Sequence, residues 1–411
     1  MRTTEHIKRV AKVTTGSTPP TNESRFYETE DVDWFTPSDM NELNIFCCAE
    51  KRIAEKFFSE TVCKKIPAES VLVVGIGATV GKVGYSNHEC YANQQINAIC
   101  FDHHKVLPKY GAYWFLSKKE EINKTTPTVT LPIFNQSKVK MLMISYPNLA
   151  EQKKIIDYLD EKASAIDTQI ELLEKKKNAY NRLKKAMINR AVTRGLDEHV
   201  KLKDSGVEWI GMIPEHWEVK RIKELCSFVS RGSTPDYVDE SDFAVMNQAV
   251  FSSGCINHEV VRYSSYMKPE SKIEKGDLLI ASTGGGILGK LFFFNDENEK
   301  FYADTHVTIV RSSKKSFYVK FLYYLFSIGY DMINSCMAKG STNQTELQKD
   351  KLIAYEIAIP SIEEQPKIIE YLDGKCAKID SAIENIGKQI DASKRLKRAL
   401  INEVITGQRA V

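Results

Sequence analysis

The sequence predicts an α+β protein: two tandem strand-rich domains separated by two long antiparallel coiled-coil helices, related by a pseudo-twofold internal repeat. Three observations predict it. The two halves carry the same landmarks in the same order. Each half has short β-branched runs punctuated by Gly, Asn and Pro. Each half then ends in a long segment with heptad spacing.

The duplication is visible by direct comparison. Glu151-Gln-Lys-Lys-Ile-Ile-Asp-Tyr-Leu-Asp-Glu-Lys162 matches Glu364-Gln-Pro-Lys-Ile-Ile-Glu-Tyr-Leu-Asp-Gly-Lys375, 213 positions later. Pro147 and Pro360 keep this spacing, as do Ile166 and Ile379, and Ile170 and Ile383. Earlier matches drift slightly, as loops of unequal length require. They are Gly16-Ser-Thr-Pro19 with Gly232-Ser-Thr-Pro235, Gly81-Lys82 with Gly289-Lys290, and Tyr91-Ala92 with Tyr302-Ala303.

Strand candidates are Ser70 to Val74 and Ile96 to Phe101 in the first half, with Asp277 to Ala281 and Val307 to Val310 in the second. Their β-branched content and flanking Gly, Asn and Pro favour a strand-rich α+β domain. The aromatic stretches Tyr113 to Leu116 and Phe321 to Phe326 read as short core helices.

The long helices follow. In the first, apolar or small residues recur at Leu159, Ala163, Ile166, Ile170, Leu173, Tyr180, Met187 and Ala191, interrupted at Lys177 and Lys184. In the second they recur at Leu372, Cys376, Ile379, Ile383, Ile386, Ile390, Leu400 and Val404. Ser393 and Lys397 stand where the first helix has Tyr180 and Lys184. A lone solvated helix has no use for such a seam, so the two seams are expected to face each other. At about 40 residues each helix would be roughly 60 Å long. The stretch Thr193 to Lys220 is too short to run back along such a helix and still fold locally, which makes the pair antiparallel.

Composition sets limits. The 411 residues allow two or three domains with good cores, and 42% hydrophobic content is ordinary for a folded chain. A net charge of +3 does not by itself announce nucleic acid. The nine cysteines are scattered, apart from adjacent Cys47 and Cys48, and form no Cys-x-x-Cys pair, which argues for reduced thiols and against zinc. The start, Met1 to Val10, lacks the apolar region of a secretory signal, and no run approaches a membrane span. A cytoplasmic protein is expected.

Between the halves lies Lys203-Asp-Ser-Gly-Val-Glu-Trp-Ile-Gly-Met-Ile-Pro-Glu-His-Trp217, where Trp209 and Trp217 look like plugs sealing a helix end against the next domain. This phrase closely resembles a hallmark of the specificity (HsdS) subunit of type I restriction–modification systems. So does the pattern Pro-x-x-x-Glu-Gln-x-x-Ile-x-x-Tyr-Leu-Asp at Pro147 to Asp160 and again at Pro360 to Asp373. With the duplication, the resemblance covers nearly the whole chain. One departure is that this sequence reaches Ile7-Lys-Arg-Val10 without a Trp-rich phrase before it, which predicts a lighter N-terminal edge on the first domain.

The resemblance implies a non-catalytic subunit reading a split, asymmetric target in double-stranded DNA. The layout it implies is target-recognition domain 1 (1–150), a central spacer helix (151–195), a linker (196–217), target-recognition domain 2 (218–362) and a C-terminal spacer helix (363–411). It also implies two methyltransferase (M) subunits docked on the helices, and restriction (R) subunits in the full complex. No cofactor is expected in this chain. S-adenosylmethionine belongs to the M partner, and ATP and magnesium to the R partner. Domains related by a pseudo-twofold would meet half-sites about one helical turn, roughly 34 Å, apart. Seam residues Ile166, Ile170, Leu173, Ile379, Ile383 and Ile386 are the candidates for coiled-coil pairing.

Base reading needs paired donors and acceptors, and phosphate gripping needs Lys, Arg, hydroxyls and amides. Three loop sets supply them. The first holds Ser17, Thr18 and nearby Arg25, with Arg231, Ser233 and Thr234 opposite. The glycine loops hold Thr79 and Lys82, and Lys290. The third set holds Thr126 and Thr128, and Ser341, Thr342, Asn343 and Gln344. Gln94, within Asn93-Gln94-Gln95, and Gln248, after Asn247, are weaker candidates. Each loop taken alone also reads as an ordinary turn; recurrence in both halves favours function. The basic residues Lys175, Lys176, Lys177, Arg182, Lys184, Lys185 and Arg190, with Lys394, Arg395, Lys397 and Arg398, read as a solvated helix face or as contacts to DNA or M subunits.

Enzymatic alternatives fail on the residues. Gly284 to Lys290 resembles the start of a P-loop, but Leu291 replaces the magnesium-binding hydroxyl, and the following Phe292-Phe-Phe294 continues a strand. No Asn/Asp-Pro-Pro-Tyr/Phe methyltransferase motif occurs; Thr18-Pro-Pro-Thr21 is a turn. The eight histidines lack metal-ligand spacing. Two readings remain: a DNA-recognition subunit, and a coiled-coil scaffold whose end domains bind other ligands. Salt-sensitive binding to a defined split duplex separates them.

Overall fold

The computed structural model describes residues 2–20, 22–27, 31–55, 65–124, 133–284, 286–312, 317–329, 333, 337–340 and 345–411. The chain forms two compact units, Met1–Lys176 with Asn385–Val411, and Lys177–Glu384. No helix among the described residues is long and apolar enough to cross a membrane.

The first unit opens with β1 (Thr3–His6), the single turn α1 (Ile7–Val10) and β2 (Ala11–Thr15). Strands β3 (Val32–Phe35), β4 (Arg52–Ile53), β5 (Ser70–Val74), β6 (Val83–Ser86), β7 (Tyr91–Ala92) and β8 (Ile96–Phe101) follow. After the helices α2 (Pro108–Ser117), α3 (Lys119–Lys124) and α4 (Gln136–Met141) comes β9 (Met143–Tyr146), then the long α5 (Leu149–Arg194). The main sheet is antiparallel with order β2-β8-β5-β6. A smaller sheet pairs β3 with β4 and, in parallel, with β7. Strand β1 pairs with β9.

Strand β5 is buried along its whole length, because both faces of the sheet are covered. Val71 and Val73 join the core shared with Tyr110, Phe115, Ile155 and Leu159. Leu72 and Val74 point the other way, into a second core with Phe35, Ala92 and Ile96. Alternation along one strand thus bonds a helical layer to one face and the small sheet to the other.

The second unit repeats this plan. A linker hairpin of β10 (Leu202–Asp204) and β11 (Met212–Pro214) precedes β12 (Glu218–Arg221), α6 (Ile222–Leu225) and β13 (Cys226–Arg231). Then come β14 (Tyr237–Val238), β15 (Phe243–Met246), α7 (Gln248–Phe251), β16 (Arg262–Ser264), β17 (Leu278–Ala281), β18 (Leu291–Phe293), β19 (Phe301–Ala303) and β20 (Val307–Ser312). Helix α8 (Val319–Ile328), β21 (Ala338–Lys339), β22 (Glu346–Leu347), α9 (Lys349–Ala354), β23 (Glu356–Ile359) and the long α10 (Glu364–Thr406) follow, the part of α10 from Asn385 onward belonging to the first unit and the part of α5 from Lys177 onward to the second. The order β13-β20-β17-β18 mirrors that of the first unit. Parallel β15–β19 mirrors β3–β7, and β12–β23 mirrors β1–β9. The expected strands and aromatic helices all form.

The recurrent Pro-x-x-x-Glu-Gln pattern has a mechanical explanation. Gln152 is fully buried, accepts from the Leu107 N–H at 2.8 Å, and donates to the carbonyls of Lys105 and Pro147, both at 2.8 Å. Leu107 caps α2, so the glutamine ties the base of one helix to the start of another. Gln365 is equally buried, accepting from Tyr318 N–H at 2.9 Å and donating to Pro360 at 3.1 Å. Two turns further on, Asp160 accepts from Lys109 and Tyr113, each at 2.8 Å. Asp373 accepts from Lys320 at 2.7 Å and from Tyr324. Burial, with the carboxylate behind it, pushes both phenols well above their ordinary range.

Within each unit the long helices pack antiparallel. In the first, Ile155, Ile156 and Leu159 share a core with Leu400, Ile401, Val404 and Ile405. Further along α5 and further back along α10, Asp167 meets Lys397. In the second, Ile188, Ala191 and Val192 share a core with Ile368, Leu372 and Cys376, while Lys184 meets Asp380.

Replacing Gln152 with Leu leaves three main-chain groups without their partner. It should cost about 3 kcal/mol, seen as a fall of roughly 6–12 °C in the melting of the first unit. An unchanged melting temperature would contradict this role.

Candidate nucleic-acid interface

In each domain, two loops and the segment that follows a third meet at one edge of the main sheet, and the same main-chain bonds bring them there. In the first, Gly16 N–H reaches Ile96 O at 3.0 Å and Ser17 N–H reaches Ala92 O at 2.7 Å. In the second, Gly232 N–H reaches Val307 O and Ser233 N–H reaches Ala303 O, both at 3.1 Å. These contacts explain the repeated glycine. A Cβ on Gly16 would lie 2.1 Å from Ala92 O, and one on Gly232 would lie 1.8 Å from Ala303 O. No side chain fits there.

The glycine loops join β5 to β6 and β17 to β18. Gly75 N–H donates to Gln95 O at 2.7 Å, and Ser282 N–H donates to His306 O at 2.8 Å. The segment leaving the third loop ties back to the same place. Phe134 N–H donates to Gly75 O at 2.7 Å, and Leu347 N–H donates to Ser282 O at 2.8 Å. The third-loop candidates themselves, Thr126, Thr128, Ser341, Thr342, Asn343 and Gln344, lie outside the described residues.

The remaining candidates divide by what already holds them. Ser17 is fixed by its main chain, its carbonyl also accepting from Trp34 Nε1 at 3.0 Å. Thr18 donates to Gln94, making one polar tip from two loops. Arg25 pairs with Glu23 at 2.8 Å and lies 4.4 Å from the Phe26 ring centroid. Half-buried Thr79 and Lys82 close the first glycine loop through Lys82 N–H to Thr79 O at 3.2 Å. Lys119, helped by Lys82 and Arg398, holds the Glu42 carboxyl below its ordinary range.

In the second domain Arg231 is a clamp. It pairs with Glu346 and donates to Leu347 O at 2.8 Å, binding β13 to the strand after the third loop. Ser233 Oγ accepts from Ser271 Oγ at 2.8 Å, and Thr234 is exposed. Lys290 donates to Ser252 O at 3.1 Å. The amide nitrogen of Gln248 lies beside Gly284, where a Cβ would be 3.6 Å from it. Its carbonyl oxygen is buried without a hydrogen-bond partner among the described residues.

Two further residues stand at this edge that the sequence did not single out. Asp304 is nearly buried, its carboxyl pushed up by desolvation, and it accepts from the His306 N–H at 2.9 Å. Exposed His306 places Nδ1 2.7 Å from Thr283 Oγ1 on the glycine loop. Extending the match of Tyr91-Ala92 with Tyr302-Ala303 by a few residues would have aligned Asn93-Gln94-Gln95 with Asp304-Thr305-His306. Among the described residues, no group of three or more His, Cys, Asp or Glu is placed to hold a metal ion.

On the helices, Ile170, Ile379 and Ile386 are buried, while Ile166, Leu173 and Ile383 are half-buried. Lys397 does not belong to a solvated basic face. It is 1% exposed, with both Asp167 oxygens at 2.7 Å, and Asn44 donates to the same carboxylate at 3.2 Å. The pair Lys184–Asp380 is its repeat, since Asp167 and Asp380, like Lys184 and Lys397, stand 213 positions apart. Trp217 is fully buried against Phe321 and donates to Glu364 at 3.2 Å, as a plug should. Trp209 is 59% exposed and only stacks on Tyr355, because the linker hairpin carries it to the surface.

The fold is a duplicated scaffold whose two copies offer matching loop edges with different side chains on each. The family model described as "Type I restriction modification DNA specificity domain" matches residues 3–182 and 214–391. The chain therefore belongs to the type I restriction modification DNA specificity family, and its role is sequence specificity on DNA without a catalytic site of its own. It is 26% identical over 371 residues to the type I restriction enzyme MjaVIII specificity subunit of Methanocaldococcus jannaschii, covering 87% of this chain and 83% of that one. To the MjaIX specificity subunit of the same organism it is 25% identical, covering 98% and 92%. A solved chain from work on complex assembly and conformational transition of the type I R-M system matches with TM-score 0.76 at 16% identity, covering 98% and 97%. The crystal structure of the HsdS subunit from Thermoanaerobacter tengcongensis matches with TM-score 0.51 at 15% identity, covering 99% and 97%.

The two seam ion pairs should respond differently to mutation. Asp167→Ala strands a buried ammonium and should destabilise the first unit by about 3 kcal/mol. Asp380→Ala removes a pair whose members are 28% and 56% exposed and should cost under about 1 kcal/mol in the second. Chemical denaturation of the two variants checks this; equal losses would contradict it.

Proposed function

We propose that the chain reads a split, asymmetric target in double-stranded DNA, one half with each target-recognition domain. Two M subunits dock on the long helices. The observation that carries this reading is the twice-built loop edge: main-chain bonds hold corresponding loops alike, while the side chains they present differ. Identical scaffolds fit equivalent positions on a duplex, and unlike side chains suit unlike base sequences.

The long helices, each continuous through residues of both units, offer a protein-docking surface. Leu172 and Leu396 on the first unit are 61% and 57% exposed, and Leu183 on the second is 54% exposed. Large apolar side chains this open on charged helices suit burial against another protein. The exposed lysines and arginines beside them suit the DNA between half-sites or an acidic face of the M subunit. S-adenosylmethionine enters with the M partner; R subunits, with ATP and magnesium, complete a cleaving assembly. The working compartment is the cytoplasm, where the genomic target lies.

Binding of the chain–M complex to duplexes of varied sequence tests this. A duplex carrying both half-sites should bind at least 10³-fold more tightly than a random duplex. Affinity should fall by roughly three orders of magnitude between 50 and 200 mM salt, as phosphate neutralisation demands. Equal, weak and salt-insensitive binding to both duplexes would favour the protein scaffold instead.

A further inference from the structure

We infer that Gln95 and His306 are corresponding base-reading residues, one per half-site, and that their difference helps make the two halves of the target unlike. This rests on the DNA-reading function proposed above.

Their correspondence is structural. Each follows a short strand paired in parallel with the small sheet, β7 on β3 and β19 on β15. Each immediately precedes a central strand of the main sheet, β8 or β20. The main chain of each is pinned twice in the same way. Gln95 N–H donates to Asn93 Oδ1 at 3.0 Å, and His306 N–H donates to Asp304 Oδ1 at 2.9 Å. Their carbonyls accept from Gly75 N–H and Ser282 N–H, at 2.7 and 2.8 Å.

Each side chain is then held by one atom. Gln95 Oε1 accepts from Asn93 Nδ2 at 3.1 Å, which turns Nε2 toward the glycine loop beside Gly77. His306 Nδ1 is bonded to Thr283 Oγ1 at 2.7 Å. Among the described residues, Nε2 of His306 has no hydrogen-bond partner. A structural histidine is normally buried with both nitrogens satisfied. This one is exposed, belongs to no hydrophobic core, and is oriented at a loop edge.

Orientation in advance lowers the entropy lost on binding, which is what a reading residue needs. The chemistry presented differs between the domains. An amide nitrogen donates to purine N7, guanine O6 or thymine O4 in the major groove. An imidazole nitrogen donates or accepts according to the tautomer that Thr283 selects.

The test is methylation mapping with the chain–M complex and S-adenosylmethionine, comparing wild type with His306→Gln, His306→Ala, Gln95→His and Thr283→Val. The two His306 substitutions keep both main-chain bonds, so melting should be unchanged. His306→Gln should alter the preferred base, or relax preference tenfold or more, at one position of one half-site, leaving the other half-site as it was. Gln95→His should do the same in the other half-site. Thr283→Val should relax the position governed by His306. Unchanged preferences in both His306 variants would overturn the assignment. A uniform loss across all sequences would also overturn it, since that marks a phosphate contact. A wild-type complex that modifies no split motif sinks the DNA-reading function itself, and this assignment with it.

Discussion

The structure depends on a buried polar lock at the start of each long helix. Gln152 and Gln365 sit out of water, so their amides must find protein partners, and those partners lie on the helix cap and turn of the adjoining domain. Apolar packing alone tolerates small slides between a helix and a sheet. A satisfied buried amide does not, because a shift of an ångström leaves several groups unpaired. Asp160 and Asp373 repeat the constraint two turns later through a tyrosine and a lysine. Position along the helix thereby becomes position of the domain, and of the loops it carries.

The division between scaffold and specificity follows from how the main sheet is covered. With both faces of β5 and β17 buried, nothing on those strands is available to a ligand. What remains is the edge where the loops emerge. There the main chain carries the shared work of placement, through the bonds of Gly16, Gly75 and Phe134 and their counterparts Gly232, Ser282 and Leu347. Side chains at the same places are unlike: Thr15 against Arg231, Ile76 against Thr283, Gln95 against His306. One scaffold can thus serve two recognition tasks without refolding.

Much of this was legible in the sequence. The duplication, heptad seams and β-branched runs are patterns of many residues, and packing enforces them collectively. The lock was visible only as a repeated motif, because a glutamine's role depends on which carbonyls surround it. Lys397 looked like part of a charged surface. Its burial depends on Asp167, which faces it only once the helices pair with a particular register. Trp209 shares its phrase with Trp217, yet a hairpin separates their fates. At the candidate interface the glycines and their loops were legible, since close main-chain approach leaves a residue signature. The clamp made by Arg231 and the orientation of His306 were not, because both are set by partners distant in sequence.

The most direct measurement is the distribution of distances between the two half-sites across all methylated positions in sequenced DNA from cells carrying the chain and its M partner. Two domains each locked to a helix should give one spacer length, with no tolerance of a base pair more or less. A spread of spacer lengths at comparable modification would mean that the locks do not fix the loops.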